Sequence, residues 1–96
     1  MLNITKRPLA KEDLKGIWRY TYKHWGERQA DKYLNELGHA IDRLVNNPEI
    51  GISCPYVNAE YRQYSIKHHI IFYRIEETAI VIVRVLHERM DPNRHL

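Results

Sequence analysis

One cysteine, Cys54, is all the thiol chemistry the chain carries. A lone cysteine excludes an internal disulfide and a thiolate metal cage, and it suits a reducing compartment, with the cytoplasm as the default. A secretory pattern is missing as well, since Met1 to Lys6 runs into Arg7 and Pro8 rather than into a continuous apolar stretch. Long hydrophobic runs are also lacking: Ala79 to Val83 is the longest and stops at Arg84, far short of a bilayer span. No glycine-rich phosphate loop occurs, and His68, His69, His87 and His95 lack the helical i, i+4 spacing or the cysteine pairing of a zinc site. The expectation is therefore a chain with no cofactor, no metal and no membrane partner.

What is present is ordinary globular material. The hydrophobic fraction of 44% and charged fraction of 28% are enough for a packed core and argue against disorder throughout. With 96 residues there is room for one domain, expected over residues 1–96, so function must sit on its surface or in a shallow groove. The net charge is +3, with acids and bases interspersed. That is a weak bias toward an acidic partner, and it predicts no direct sequence-specific nucleic-acid binding.

The periodicity changes twice. Leu2 to Lys6 reads as a short strand ended by Arg7 and Pro8. From Ala10 the apolar positions Ala10, Leu14, Ile17, Trp18, Thr21 and Trp25 trace one stripe of an amphipathic helix, which puts both tryptophans in the core and leaves Tyr20 and Tyr22 nearer the edge. Gly26 breaks that run. A second helix follows with Ala30, Tyr33, Leu34, Leu37, Ile41, Leu44 and Val45 on one face, stopped by Asn46, Asn47 and Pro48. The two make an antiparallel helical hairpin.

Pro48 to Ala59 reads as a loop, in which Cys54 is a partly buried thiol. Beyond it the period is two: Tyr61 to Ile66, Ile70 to Ile75 and Ala79 to Leu86 form an antiparallel meander at hairpin spacing, with His68 and His69 in a solvated turn. The last strand is apolar on both faces. One face meets the helical hairpin; the other is covered by the tail or left for a partner. The fold class is α+β, in the order β-α-α-β-β-β.

In that order, several strings resemble the ParE branch of the ParE/RelE toxin superfamily: Asn47-Pro48-Glu49-Ile50-Gly51, Tyr61-Arg62-Gln63-Tyr64, His69 to Ile75, and Ile82 to Asp91, together with a helix start at Ala10 to Leu14. The resemblance spans nearly the whole chain. It implies a plasmid-stabilisation type of toxin, neutralised by a ParD-like antitoxin and lethal when freed because it traps DNA gyrase on cleaved DNA. It also makes His87, Glu88, Arg89, Met90 and Asp91 the expected gyrase-engaging segment. An acidic, amphipathic antitoxin segment is expected to wrap the toxin, with Arg62, Arg74 and Arg84 steering its approach.

The sibling RelE branch cleaves messenger RNA on the ribosome, so ribonuclease chemistry is the alternative. It needs a base for the 2′-hydroxyl, an acid for the leaving oxygen and cations for the phosphorane. His87, His95 and Glu88 supply proton-transfer groups, and Arg62, Lys67, Arg84 and Arg89 supply cations. Against it, RelE-like and YoeB-like toxins carry a tyrosine near the C-terminus, whereas no tyrosine follows Tyr73 here. The expectation is a non-enzymatic toxin without a catalytic residue, or failing both activities, an antitoxin sink. Arg84 interrupts an apolar strand, so it must pair with a carboxylate, bind carbonyls or reach solvent.

Overall fold

The computed structural model describes residues 2–96. A strand β1 (Asn3–Lys6) leads into two long helices, α1 (Pro8–Trp25) and α2 (Glu27–Asn46). A 3-10 turn (Pro48–Ile50) follows, then strands β2 (Ile52–Ser53), β3 (Arg62–Ile66), β4 (His69–Ile75) and β5 (Ala79–His87), and a terminal helical turn α3 (Pro92–His95). The five strands form one sheet in the order β1-β5-β4-β3-β2, with β1 parallel to β5 and the other pairs antiparallel. This is the expected α+β arrangement with two additions, β2 and α3.

The helical hairpin has a one-residue joint. Gly26 takes φ +89°, a conformation that L side chains avoid, and its N–H donates to the Tyr22 carbonyl while its own carbonyl accepts from Ala30. Pro8 opens α1 at a position where its missing N–H costs nothing. The helices pack on β4 and β5 through Ala10, Ala40, Ile41, Leu44, Ile71, Tyr73, Ile80, Ile82 and Val85.

A bulge in β5 decides which side chains reach that core. Phe72 pairs with Arg84 but Tyr73 pairs with Ile82, so Val83 is the extra residue. Ile80 and Ile82 therefore share a face with Val85, which strict alternation forbids, and Arg84 falls on the opposite face beside Phe72. On that face Phe72, Leu86 and Cys54 form a second buried cluster, with Tyr61, Ile70 and Leu96 packed against it. The second sheet face is thus covered by the Cys54 loop and the tail. Cys54 is fully buried rather than partly so; burial pushes its thiol pKa up.

Three further expectations change. Trp25 is 65% exposed, because it is the last residue of α1 and stands at the turn end of the hairpin beside Gly26, past the reach of the core. Trp18 is half-buried and donates its indole N–H to Asp31 at 2.9 Å, tying α1 to α2. The Pro48–Ala59 loop contains β2, whose two residues pair with Gln63 and Arg62; so short a strand with exposed side chains has no period to read. Among the described residues, no helix is long and apolar enough to cross a membrane.

Candidate partner-binding cleft

A cleft of about 890 Å³ opens between the second half of α1, the start of α2, the β3–β4 turn and the end of β5. Gly16, Ile17, Thr21 and Val85 are among its lining, and of these Thr21 and Val85 are buried. Tyr20 and Trp25 stand on one side, and Lys67, His69, His87, Arg89 and Met90 on the other. Lys67 takes φ +52°, an uncommon conformation for a non-glycine, in the turn Lys67-His68 that leads into β4 at His69.

His69 and His87 are paired across the β4–β5 ladder, their rings edge to face at 5.3 Å. Burial, together with the neighbouring His87 and His68, lowers the His69 pKa from the usual histidine range to about 4. Its ring is neutral at pH 7. The Tyr33 hydroxyl lies 2.5 Å from its Nδ1, and burial raises the phenol's pKa, so Tyr33 is the donor and the His69 proton sits on Nε2. His87 has the same tautomer for a different reason: its Nδ1 accepts the Arg89 backbone N–H at 3.1 Å. The correction to the sequence reading is plain. His69 belongs to a strand and to a half-buried hydrogen bond, whereas His68 is the solvated one and meets Glu88 at 2.6 Å. That hydrogen bond holds the Glu88 carboxyl below the usual carboxylate range.

The eight residues singled out from the sequence do not form one patch. His87, Arg89 and Met90 line the cleft, and Glu88 stands beside it. Asp91 accepts the Asn93 N–H at 3.0 Å and caps α3. Arg84 is held by Asp13 through two hydrogen bonds of 2.7 and 2.8 Å and donates to the His95 carbonyl at 2.9 Å, so of the three fates open to it the ion pair and a carbonyl are realised together. Arg62 and Arg74 lie at the far end of the meander. Arg62 donates to the Gly51 and Glu49 carbonyls at 2.7 and 3.1 Å, and Arg74 pairs with Glu76.

Tyr33, His69, Tyr20 and Trp25 were not among the expected site residues. Of these, only the place of His69 follows from strand pairing, once Lys67-His68 is taken as a two-residue turn that sets Ile66 against His69 and His69 opposite His87, and no glycine marks that turn. The aromatic wall left no readable signal, because it depends on where the helical hairpin ends.

Comparison with known proteins agrees with this architecture. The family model described as the ParE toxin of the type II toxin-antitoxin system parDE matches residues 4–92. Toxin ParE1 of Mycobacterium tuberculosis is 49% identical over 90 residues, covering 93% of this chain and 92% of that protein. Toxin ParE1 of Caulobacter vibrioides is 37% identical over 87 residues, covering 91% and 90%. Among solved structures, the chromosomal ParDE system from P. aeruginosa superposes with a TM-score of 0.80 at 18% identity, over 91% of this chain and 96% of that one. The YoeB dimer from Staphylococcus aureus superposes at 0.61 with 21% identity, over 86% and 92%. Both share the fold. By the family match and the identity to curated relatives, the chain belongs to the ParE toxin family of type II toxin-antitoxin systems.

Proposed function

We propose that this ParE toxin acts in the cytoplasm by binding DNA gyrase, is neutralised by a ParD-like antitoxin, and breaks no bond of its own. The whole 96-residue span serves as one toxin domain in this reading. The observation that carries it, beside the family, is that most groups a ribonuclease would draw on are engaged elsewhere, which leaves His87 and Arg89 in the cleft without a free carboxylate base beside them. A ribonuclease needs a base, an acid and cations converging on one phosphate. Here Arg84 is locked to Asp13, Arg62 to backbone carbonyls, Glu88 to His68 and the His69 Nδ1 to Tyr33. What remains is a cleft with an aromatic side and a few donors, which is suited to holding.

The test uses purified toxin with gyrase and plasmid DNA, with and without a ParD-like antitoxin. Loss of supercoiling with accumulation of cleaved DNA, reversed by antitoxin, is the expected result. Transcript cutting on translating ribosomes, abolished by His87→Ala, would overturn it. Neither activity would leave the chain as an antitoxin sink.

A further inference from the structure

We infer that the cleft seats an unpaired nucleotide of a single-stranded nucleic acid, with the base against Tyr20 and Trp25 and the phosphate at Arg89 and the two histidines. The inference goes beyond gyrase inhibition, because it concerns direct contact between the toxin alone and a nucleic-acid strand.

The aromatic side comes first. Trp25 and Tyr20 are 65% and 58% exposed, with ring centroids 6.2 Å apart, and His24 stacks on Tyr20 at 4.0 Å. Neither Trp25 nor Tyr20 belongs to either core cluster. Exposed rings beside a groove are the usual platform for base stacking, which tolerates any sequence because every base has a π face. Gly16, which also lines the cleft, has open space where a Cβ would stand.

The opposite side supplies donors without a buried charge. His69 and His87 each have Nδ1 already accepting, so Nε2–H is the ring donor each has left. Arg89 makes no ion pair among the described residues, whereas Lys67 is held by Glu36 at 2.6 Å. The two carboxylates of the lining do not oppose an anion freely: Asp13 is neutralised by Arg84, and Glu12 meets Lys15 at 3.4 Å. Along α1 the exposed Arg19 and Lys23 run beside the cleft residues Gly16 and Tyr20, giving a flexible backbone two cations to follow. The volume of about 890 Å³ lies within the range of small-ligand sites, roughly 300–1,000 Å³. A duplex, whose bases are stacked internally, cannot use the aromatic side.

The test titrates the toxin with short fluorescein-labelled oligothymidylate, oligouridylate and a duplex of similar length, at low and physiological salt. Single strands are expected to bind and to quench tryptophan fluorescence, with the duplex at least about tenfold weaker. Trp25→Ala and Arg89→Ala should each weaken single-strand binding about tenfold, and Arg89→Ala should lower the salt slope by about one. Gly16→Leu should weaken binding by putting a side chain into the open space of the cleft lining; leucine is the better helix former, so the fold is kept, which the unfolding midpoint verifies. Tighter binding of oligothymidylate would point to DNA ends as the source and of oligouridylate to RNA, and both support the seat. No binding, equal binding of the duplex, or binding unchanged in Trp25→Ala and Gly16→Leu would overturn it. Gyrase inhibition is scored separately on Trp25→Ala and Gly16→Leu, because Arg89 also lies in the segment expected to engage gyrase.

Discussion

Asp13 and Arg84, 71 residues apart, form a two-point ion pair that closes the unpaired part of a strand edge. β1 pairs with β5 only as far as Ile82, so beyond it β5 has no neighbouring strand on that edge, although it stays paired with β4 on the other. Asp13 reaches from α1 and accepts the Val85 N–H at 3.0 Å while holding the Arg84 guanidinium, both side chains being only 14% exposed. The carboxylate stands in for a missing strand. Arg84→Ala would strand Asp13 in this pocket, and a loss of about 3 kcal/mol is expected, read as a drop in the urea midpoint at constant m. Arg84→Ala that unfolds like the parent would show that the pair contributes nothing. The same reasoning warns against reading an inactive Arg84 variant as evidence of catalysis.

Tyr73 gives a second stability prediction. Its hydroxyl donates to the Pro48 carbonyl at 2.6 Å and accepts the Gly51 N–H at 3.0 Å, which anchors the 3-10 turn to the core. Tyr73→Phe leaves both backbone groups without that partner, at a cost of about 1–3 kcal/mol. Gly51→Ala tests the same contact from the other side. Gly51 has an ordinary φ of −75°, but a Cβ there would meet the Tyr73 hydroxyl and the Gln63 carbonyl oxygen, the latter at 2.8 Å. A destabilisation of similar size is expected by thermal unfolding, and a neutral result would mean that the turn yields freely.

Much of this arrangement was legible in the residues and some was not, for physical reasons. The helical hairpin and the β3–β5 meander follow from period and from Gly26, because one buried face imposes a phase on every residue of an element. The Val83 bulge leaves no such trace: valine suits either face, and only the partner strand shows that the phase has slipped. Trp25 shares the phase of Trp18 yet is exposed, since phase gives direction and not what lies in that direction. His69, opposite His87, is a matter of register, set by a turn of two residues with Lys67 at positive φ where no glycine announces it.

His69 predicts a pH dependence. Its pKa is about 4 in the folded chain against about 6.5 in an unfolded one. Between those values the unfolded chain binds the proton and the folded chain does not, so stability is lost as pH falls from about 6.5 toward 4 and is fully present above. Discounted for a ring that is only half-buried, the effect is roughly 1–2 kcal/mol. His69→Phe should flatten this part of the stability–pH curve measured by denaturant unfolding, and an unchanged slope would count against the neutral ring.

The tail is the place where binding and folding are hardest to separate. Leu96 packs against the Cys54, Phe72 and Leu86 cluster, and the His95 carbonyl accepts from Arg84. Deleting Asn93 to Leu96 removes both, with an expected cost of about 2 kcal/mol. Lost toxicity in such a deletion therefore says nothing about contact with gyrase unless stability is restored. Arg89→Ala separates the two, because the guanidinium has no ion-pair partner among the described residues and its removal should leave the unfolding midpoint within about 0.5 kcal/mol of the parent. If the C-terminal segment engages gyrase, that variant should inhibit supercoiling about tenfold less well, equivalent to about 1.4 kcal/mol of binding. Full inhibition by a stable Arg89→Ala protein would move the gyrase contact elsewhere on the surface.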